Sequence, residues 1–516
     1  METNHAVDTI MTRSVTIIFR KITLVTCVIS EAYDFFYRKT QNQILHSYCV
    51  CLDRSPPPEP KAPAPTFNLT QLAPLGVFPH NAPMLDIRLV RENAARVREK
   101  LASRGAGDEA KVDELVALDE KRRSLLTEVE SLKSQRNRVS KEIGALMGQK
   151  KVAEADAKKT ETRTIGDKIA ELDKAVAEVE VARDEILLRI PNLPNDSVPF
   201  GKSADDNPEI RVWGEKKKFD APPKNHIELC EKLKLVDFTR GAKLSGSGFL
   251  LYTHWGAKLE RALIQYLLDL HTTQHGYIEV APPYIIQRHC MVGVGQFPKF
   301  IDQAYAVQEG MDGSTMGQLY LLPTAEAPVA NIHREEILRE DQLPIYYCAY
   351  SPCFRAEAGA AGVGTRGMIR VHQFDKVELI KFVKPEESYA ELEKMVANAE
   401  TVLQQLELHY RVIMLCTGDM GFASAKTYDI EVWAPGQNQY LEVSSCSNCE
   451  DYQARRMNTR YKPSSGGENR FPHILNGSGT ALARLFVALL ETHQQPDGSI
   501  RIPAALQPYL KTEVIK

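Results

Sequence analysis

Apolar side chains recur at alternating spacings of three and four residues in two long stretches of the chain, 115–143 and 165–190. This heptad-like pattern predicts two α-helices, because residues at those spacings lie on one helix face. The polar segment 148–159 predicts the break between them, and Pro191 ends the second helix. Two such stripes predict an antiparallel helical hairpin. Its first helix, 115–151, is about 55 Å long at ~1.5 Å per residue, so the hairpin is expected to project as an arm.

The C-terminal part of the chain shows a different pattern, in which apolar and polar side chains alternate. Residues 354–357 and 374–380 predict two antiparallel strands, joined by a glycine-rich loop over 358–368 that carries Arg366. Because side chains on a strand alternate between its faces, several polar and aromatic groups are expected on the same face of this strand pair, which is called the floor below. These are Arg355, Glu357, Phe374, Lys376 and Glu378.

Further periodic segments complete the prediction of an α+β domain. An amphipathic helix is predicted over 256–275, followed by a strand over 277–280. A second helix is predicted behind the sheet over 391–406, and a strand pair over 428–432 and 439–444.

The side chains on the predicted floor favour a nucleotide over a metal ion or a covalent nucleophile. A guanidinium binds phosphate through two hydrogen bonds, and a carboxylate accepts from an amine or a hydroxyl. A glycine- and serine-rich turn at 476–480 opens an apolar helix with Arg484 just inside it, which is typical of a second anion site. Taken singly, each feature has a simpler interpretation. An Arg-x-Glu strand is more often a salt-bridging edge, and a Gly-Ser-Gly turn is usually only a turn.

The composition is that of an ordinary globular protein, with 43% hydrophobic and 25% charged residues among 516, enough for two or three domains. A net charge of −3 means that any RNA-binding surface must be local. No uncharged apolar run is long enough to favour a membrane span. The ten cysteines lack the spacing of a disulfide framework. Cys446 and Cys449 form a CxxC pair without a second such pair, which favours reduced structural thiols over a metal or redox site.

The first helix of the predicted arm is locally basic. Between residues 115 and 151 it carries nine Lys or Arg residues against five acidic ones, and the second helix shows no similar excess. Such a hairpin has two interpretations, a dimerisation coiled coil or a rod that follows an RNA backbone by shape and charge. The charge favours the RNA interpretation.

Together, and in this order, the motifs resemble the second and third signature motifs of class II aminoacyl-tRNA synthetases. Four segments are similar to bacterial-type seryl-tRNA synthetases: Phe-Arg-Ala-Glu-Ala-Gly from Phe354, Thr-Arg-Gly from Thr365, His-Gln-Phe-Asp-Lys-Val-Glu from His372, and Asn-Gly-Ser-Gly from Asn476. The resemblance runs from about Met84 to near the C-terminus. It implies an α+β fold with an antiparallel β-sheet catalytic domain flanked by helices, and an N-terminal antiparallel α-helical coiled-coil arm.

The same resemblance implies domain limits and partners. Residues 84–195 are expected to form a tRNA-binding helical arm, and residues 196–516 the catalytic domain. The helix and strand over 256–280 are similar to the first signature motif, which forms the homodimer interface in the family. The arm is expected to bind tRNA(Ser), with tRNA(Sec) left open as a second acceptor.

The implied reaction is the activation of L-serine with ATP and Mg²⁺, followed by transfer of serine to tRNA. The residues expected to be catalytic are Arg355, Arg484 and Glu442. Those expected to contact L-serine are Thr324, Ala325, Glu326, Glu378 and Ser478. Those expected to contact ATP are Arg355, Ala356, Glu357, Arg366, Val371, Phe374, Glu442, Val443, Ser444, Ser445 and Arg484. Mg²⁺ is expected on Glu442 and Ser445.

Residues 1–83 differ from the rest of the chain. Their apolar stretches, 15–19 and 22–29, are split by two basic residues, which argues against a secretory signal, and the proline-rich segment 56–65 is typical of a stiff spacer. The segment is expected to be disordered or to lie upstream of the true start, and the protein is expected in the cytoplasm.

Two other functions stay open. One is a synthetase-like ligase that loads serine onto a carrier protein, and the other is an inactive RNA-binding relative. The basic arm weighs against the first, because such a ligase does not need to bind tRNA. The complete set of polar site residues weighs against the second.

Overall fold

The computed structural model describes residues 85–308, 318–358 and 367–516, all of which belong to one compact unit. The predictions made for residues 1–83 and for Arg366 lie outside these ranges. No helix in the described ranges is long and apolar enough to cross a membrane.

The N-terminal part consists of two short helices and a long helical hairpin. The four helices are α1 (Ile87–Glu92), α2 (Ala94–Ser103), α3 (Lys111–Gly148) and α4 (Val152–Leu188). The predicted hairpin is confirmed, but the predicted break over 148–159 is wrong. Lys150 has a φ of 61°, a left-handed conformation that reverses the chain within a three-residue turn. The polar residues from Val152 onward therefore continue as helix.

The two hairpin helices pack antiparallel through the apolar stripes that the sequence predicts. Three stripe residues form a buried cluster between them: Val139, Ile165 and Ile169. Ion pairs fix the register at both ends of the arm. Arg122 Nε lies 2.7 Å from Glu180 Oε1, and Lys158 Nζ lies 3.1 Å from Glu142 Oε2.

At the base of the arm, all four helices share one apolar core. Its buried residues are Leu85, Val90, Val97, Leu101, Val112, Leu115, Leu187 and Ile190. Asp119 is buried nearby and accepts two hydrogen bonds from Arg91, at 2.8 Å from Nε and 3.0 Å from Nη2. Burial raises the pKa of Asp119, but the Arg91 pair outweighs burial and the pKa lies below its usual value.

The C-terminal part is built on an eight-stranded sheet. The strands of this part are, in chain order, β1 (Glu209–Trp213), β2 (Ile278–Glu279), β3 (Ile285–Gln287), β4 (Ala306–Val307), β5 (Leu319–Leu321), β6 (Ile337–Arg339), β7 (Ile345–Phe354), β8 (Gln373–Val383), β9 (Tyr410–Met414), β10 (Lys426–Ala434), β11 (Gln439–Asn448), β12 (Arg460–Lys462), β13 (His473–Ala481), β14 (Ile500–Arg501) and β15 (Val514–Ile515). The large sheet has the order β1–β9–β10–β11–β13–β8–β7–β2. Its pairs are antiparallel except β2–β7, as expected for the predicted fold class.

The large sheet carries the largest apolar core on one face, and a second apolar core together with the candidate site on the other. The helices after the arm are α5 (His226–Leu233), α6 (Phe238–Ser245), α7 (His254–Thr273), α8 (Arg288–Gly293), α9 (Glu326–Ala330), α10 (Ser388–Gln405), α11 (Tyr452–Met457), α12 (Leu482–His493) and α13 (Gln507–Leu510). The largest apolar core lies between the sheet and α7, α10 and α12. The predicted helices over 256–275 and 391–406 are confirmed as α7 and α10, with ends shifted by one to three residues.

β7 and β8 form the predicted antiparallel pair, with Cys353 opposite Phe374. The first strand ends at Phe354, three residues earlier than predicted. Arg355 N still donates to the His372 carbonyl at 2.9 Å. Glu357, however, has a φ of 48°, a left-handed conformation outside the β region, so the strand cannot continue through it.

The period-two alternation on β8 separates core from site as predicted. Val377 and Leu379 are fully buried in the core beneath the helices. Phe374 and Lys376, at the alternate positions, face the other way and line a cavity there. The strand therefore presents polar side chains to the cavity on one face, while its other face packs in the apolar core.

Candidate active site

Two adjoining cavities form the candidate site, and the smaller one opens on the polar face of β8. The smaller cavity has a volume of about 210 Å³ and lies over Phe374 and Lys376. The larger cavity, of about 400 Å³, lies over Thr324 and Glu326. Arg355 and Glu357 line both cavities, so a molecule in one would meet a molecule in the other at these two side chains.

The smaller cavity brings together most of the residues predicted to contact ATP. The residues predicted for ATP that line it are Arg355, Glu357, Val371, Phe374, Glu442, Val443 and Arg484. Ser478, which was predicted to contact serine, also lines this smaller cavity and not the larger one. The Arg355 guanidinium lies 5.1 Å from the centre of the Phe374 ring, and its Nε donates to the Pro323 carbonyl at 3.3 Å. Within the described ranges its two terminal nitrogens have no protein partner, so they are available to an anion.

A second guanidinium, that of Arg484, also lines the smaller cavity. Arg484 is in the first turn of α12, just inside the helix as predicted. The predicted turn at 476–480 is wrong, because these residues pair with β8 as part of β13 (His473–Ala481), which leads directly into the helix. Its Nη1 donates to the Glu442 carbonyl at 2.9 Å, and its Nε donates to the Ile369 carbonyl at 3.2 Å. The same Nη1 lies 3.4 Å from the Glu442 carboxylate. Backbone carbonyls therefore orient this cation at the rim.

The larger cavity contains a carboxyl group with an unusual proton affinity. Glu326 begins α9, and its Oε1 accepts a hydrogen bond from Gln453 Nε2 at 2.7 Å. Burial, and next the negative charge of Glu378, raise the pKa of Glu326 to about 7. Gln453 was not foreseen from the sequence, because 127 residues separate it from Glu326.

A buried polar trio lies where the two cavities meet. Lys376 Nζ donates to Thr324 Oγ1 at 2.9 Å, and Thr324 Oγ1 donates to Glu378 Oε2 at 3.1 Å. Lys376 and Glu378 also form an ion pair. The sequence placed Lys376 on this floor by its alternation but gave it no function. Its position shows that it neutralises Glu378 and orients Thr324.

Some of the predicted residues line neither cavity: Ala325, Ala356, Glu378, Ser444 and Ser445. Ser444 points to the buried side of the sheet, where its Oγ donates to the Ser478 carbonyl at 2.5 Å. The reason is a β-bulge in β11. Ser444 pairs with Ile430 and Glu442 pairs with Glu431, so Val443 is an extra residue. Glu442 and Val443 both reach the cavity as a result, and Ser444 does not.

The residues predicted to hold Mg²⁺ suit an ion that is shared with a substrate. The described ranges contain no group of three or more His, Cys, Asp or Glu side chains arranged around a common metal site. Glu442 supplies one half-exposed carboxylate, and Ser445 lies opposite Asp429 in the β10–β11 ladder. Burial, and next the charge of Glu442, raise the pKa of Asp429 well above its usual value. Mg²⁺ commonly uses one or two protein ligands together with phosphates and water, so this donor set fits.

The cysteines of the described ranges are free thiols, as predicted for reduced structural residues. Cys446 is buried beside Gly477, and burial raises the pKa of its thiol to about 12. Cys449 lines the larger cavity, where its Sγ accepts a hydrogen bond from Asn476 at 3.3 Å.

The arm carries cations that are not neutralised by neighbouring carboxylates. Arg122 and Lys133 of α3 pair with acidic residues of α4. Four other cations of α3 have no carboxylate within 4.0 Å among the described residues: Lys121, Arg136, Arg138 and Lys141. Three of these are exposed and Arg136 is half-buried. The local positive charge predicted from the sequence is thus available to a partner.

Comparisons with known proteins agree with this architecture. Residues 84–194 match the family model described as Seryl-tRNA synthetase N-terminal domain. Residues 308–493 match the one described as tRNA synthetase class II core domain (G, H, P, S and T). The serine–tRNA ligase of Akkermansia muciniphila is 54% identical over 433 residues, which cover 84% of this chain and 99% of that protein. The serine–tRNA ligase of Carboxydothermus hydrogenoformans is 53% identical over 432 residues, with the same coverage.

Two solved structures are similar over the same part of the chain. A seryl-tRNA synthetase from Pyrococcus horikoshii, complexed with ATP, has a TM-score of 0.78 at 41% identity. A cytoplasmic serine–tRNA ligase from Naegleria fowleri, in complex with AMP, has a TM-score of 0.74 at 32% identity. Each match covers 84% of this chain and 99% of the other. Such identity over almost the whole length of the relatives shows that this chain belongs to the seryl-tRNA synthetase family of class II aminoacyl-tRNA synthetases.

Proposed function

We propose that the chain is a serine–tRNA ligase, which converts L-serine and ATP to seryl-adenylate and then transfers serine to the 3′ end of tRNA(Ser). The observation that carries the proposal is the pair of adjoining cavities that share Arg355. A reaction between two anions, the carboxylate of serine and the α-phosphate of ATP, needs two binding sites that meet at a cation.

In the first step, a carboxylate oxygen of serine attacks the α-phosphorus in line. A new P–O bond forms, the bond to the bridging oxygen breaks, and pyrophosphate leaves. No side-chain nucleophile is required, so catalysis consists of positioning and charge neutralisation. Arg355 is proposed to neutralise the α-phosphate, because it lines both cavities and its terminal nitrogens have no partner among the described residues. Arg484, together with Arg366, is proposed to bind the outer phosphates.

The smaller cavity is proposed to hold the adenosine of ATP. Phe374 offers a ring face to the base, while Glu357 and Val371 line the sides. Mg²⁺, when bound, would add positive charge at the phosphates, and Glu442 with Ser445 would hold it. Asp429, behind Ser445, would support that ligand from the neighbouring strand.

The larger cavity is proposed to hold serine with its α-ammonium group at Glu326. Its hydroxyl is then directed toward the junction with the smaller cavity, where Ser478 lines the wall. Glu378 is buried at that junction, and Thr324 holds its carboxylate in place at 3.1 Å. Alanine lacks that hydroxyl and would remove water from the buried Glu378 carboxylate without supplying the further donor that serine supplies, which disfavours alanine. Threonine has to be excluded by the shape of the cavity.

In the second step, a ribose hydroxyl of the terminal tRNA nucleotide attacks the carbonyl carbon of seryl-adenylate, an ester forms and AMP leaves. The arm is proposed to position tRNA(Ser) for this step through the unpaired cations of α3, with tRNA(Sec) open as a second acceptor. The two alternative functions explain less of the structure. In a ligase that loads serine onto a carrier protein, the cations of α3 would have no function. In an inactive RNA-binding relative, the two cavities would have no function.

We further propose a cytoplasmic homodimer. The edge strand β2 and the following segment expose apolar side chains, with Ile278 59% and Ile285 49% accessible in one chain. Burial of these residues against a second copy would remove apolar surface from water. The free thiols of the described ranges are compatible with a reducing compartment.

A charging assay with two acceptors tests the proposal. The protein is incubated with labelled serine, ATP and Mg²⁺, and either tRNA(Ser) or a phosphopantetheinyl carrier protein is supplied. Label is expected in tRNA alone and in a base-labile ester. Label in the carrier protein, or in neither acceptor, would contradict the proposal.

A further inference from the structure

The larger cavity has a wall that is held by residues of the N-terminal part. The loop between β9 and β10 contributes four consecutive residues to that wall, from Gly421 to Ser424. This loop contacts Arg104, just after α2, and Asn192, just after α4. More than two hundred residues of sequence separate each of them from the loop.

Five successive carbonyls of this loop accept hydrogen bonds from these two residues. Arg104 Nη2 donates to the carbonyls of Met420, at 2.9 Å, and Gly421, at 2.7 Å. The next two carbonyls, of residues 422 and 423, accept at 2.9 Å from the backbone and side-chain nitrogens of Asn192. Arg104 Nη1 lies 3.4 Å from the carbonyl of residue 424 and 3.2 Å from the carbonyl of Asn192 itself. The backbone of the loop thus faces the arm, while its residues line the cavity.

Arg104 is an unusual residue for a simple domain contact. Its side chain is buried, and no carboxylate of the described residues lies within 4.0 Å of its guanidinium. Burial lowers its pKa to about 10. The charge of Asp108 acts on Arg104 only from beyond ion-pair distance. A buried cation without an ion-pair partner is costly unless its hydrogen bonds are needed, and apolar packing would join two domains at lower cost. The planar guanidinium is instead suited to hold several carbonyls at fixed positions.

A second connection runs from the same junction to Glu326. Tyr452 Oη, on α11, donates to the carbonyl of Ile190 at 2.6 Å. The next residue, Gln453, donates to the Glu326 carboxylate at 2.7 Å. Both sides of the larger cavity are therefore connected to the segment that leaves the arm.

From this arrangement we propose that Arg104 and Asn192 are positioning residues for the amino-acid cavity, so that the base of the arm forms part of the amino-acid site. The inference rests on the proposed function, because it assigns serine to the larger cavity. Neither residue lines the smaller cavity, so their effect should fall on serine and not on ATP.

The test measures the KM of each substrate separately in ATP–pyrophosphate exchange, with the full chain and without tRNA. Arg104→Met is expected to raise the KM for serine roughly tenfold, since small displacements of a binding wall have large effects, and to leave the KM for ATP within about twofold. Arg104→Lys keeps the positive charge but lacks the planar guanidinium that bonds several carbonyls at once, so it should give a smaller increase in the KM for serine. Asn192→Asp removes the donor to the Ala423 carbonyl and should change the KM for serine in the same direction.

The matched control is Arg91→Met. Arg91 also lies at the base of the arm, but it bonds Asp119 within the arm and does not contact the loop. The Arg91→Met substitution should leave the KM for serine and the KM for ATP at the wild-type level.

An unchanged KM for serine in the Arg104 and Asn192 variants would overturn the inference, as would a parallel rise in both KM values. If Arg104→Met does not fold, Arg104→Lys and Asn192→Asp decide by the same criterion. The proposed function is tested separately, by whether the wild-type protein catalyses exchange with serine at all, and not by how the KM values of the variants compare.

Discussion

The raised pKa of Glu326 makes a quantitative prediction about the pH dependence of serine binding. The α-ammonium group of serine is proposed to bind this carboxyl group, and it binds the ionised form. With a pKa of about 7, Glu326 is about one-tenth ionised at about pH 6 and about nine-tenths ionised at about pH 8. The KM for serine should therefore fall about tenfold across that interval, while the KM for ATP should change much less.

The physical cause is desolvation, reinforced by the neighbouring Glu378. Raising the pKa from 4.5 to about 7 corresponds to about 3 kcal/mol against the ionised carboxylate. The cations of Lys376 and Arg355 oppose the shift, as does the hydrogen bond from Gln453. A bound ammonium adds a further positive charge at this carboxylate, so serine binding should lower the pKa of Glu326 and release a proton near neutral pH.

The assay is ATP–pyrophosphate exchange at saturating ATP, with serine titrated at intervals from about pH 6 to about pH 8. Glu326→Gln removes the titrating group and should give a high KM that does not depend on pH. Gln453→Leu removes a hydrogen bond that lowers the pKa, so it should move the midpoint of the profile to higher pH. A pH-independent KM in the wild-type protein, or the same profile in Glu326→Gln, would refute the reasoning.

Four further predictions concern the catalytic cation, the arm and the N-terminal segment. Arg355→Ala should lower the exchange rate by about 10²–10³ without loss of fold, measured by exchange and by circular dichroism, and near-normal turnover would contradict its assigned role. Replacing residues 126–175 with a short Gly/Ser turn removes most of the arm and keeps its base. ATP–pyrophosphate exchange should persist and tRNA charging should collapse. Unchanged charging, or loss of the dimer, would instead indicate that the arm is an oligomerisation element. Neutralising three unpaired cations of α3, Arg136, Arg138 and Lys141, should weaken tRNA binding and reduce its dependence on salt. The rate of exchange should not change. A protein beginning at Met84, where the match to the N-terminal family model starts, should retain exchange and charging, and loss of either would show that residues 1–83 are needed.

The features that the sequence predicted well are those that depend on a local period. The stripes over 115–143 and 165–190 could be interpreted because a helical face repeats within a few residues. The floor formed by Phe374, Lys376 and Glu378 followed in the same way from the two-residue period of a strand. The order of these elements was enough to suggest the family, and the comparisons confirm it.

The features that the sequence did not predict arise from single-residue irregularities and from contacts between distant segments. The left-handed Lys150 shortened the turn of the arm, and the bulge at Val443 turned Ser444 away from the cavity. Neither changes the composition of its segment, so periodicity does not detect them. The contact of Arg104 with the carbonyl of Met420 spans 316 residues, and no local pattern of either segment indicates it.

The central claim is that this chain activates serine on its own, before tRNA takes part. Its most direct test is ATP–pyrophosphate exchange with Mg²⁺ and without tRNA, in which each of the twenty amino acids is supplied separately. The account predicts exchange with serine, much weaker exchange with threonine, and none above background with alanine. Exchange that requires a different amino acid, or that appears only when tRNA is added, would contradict it.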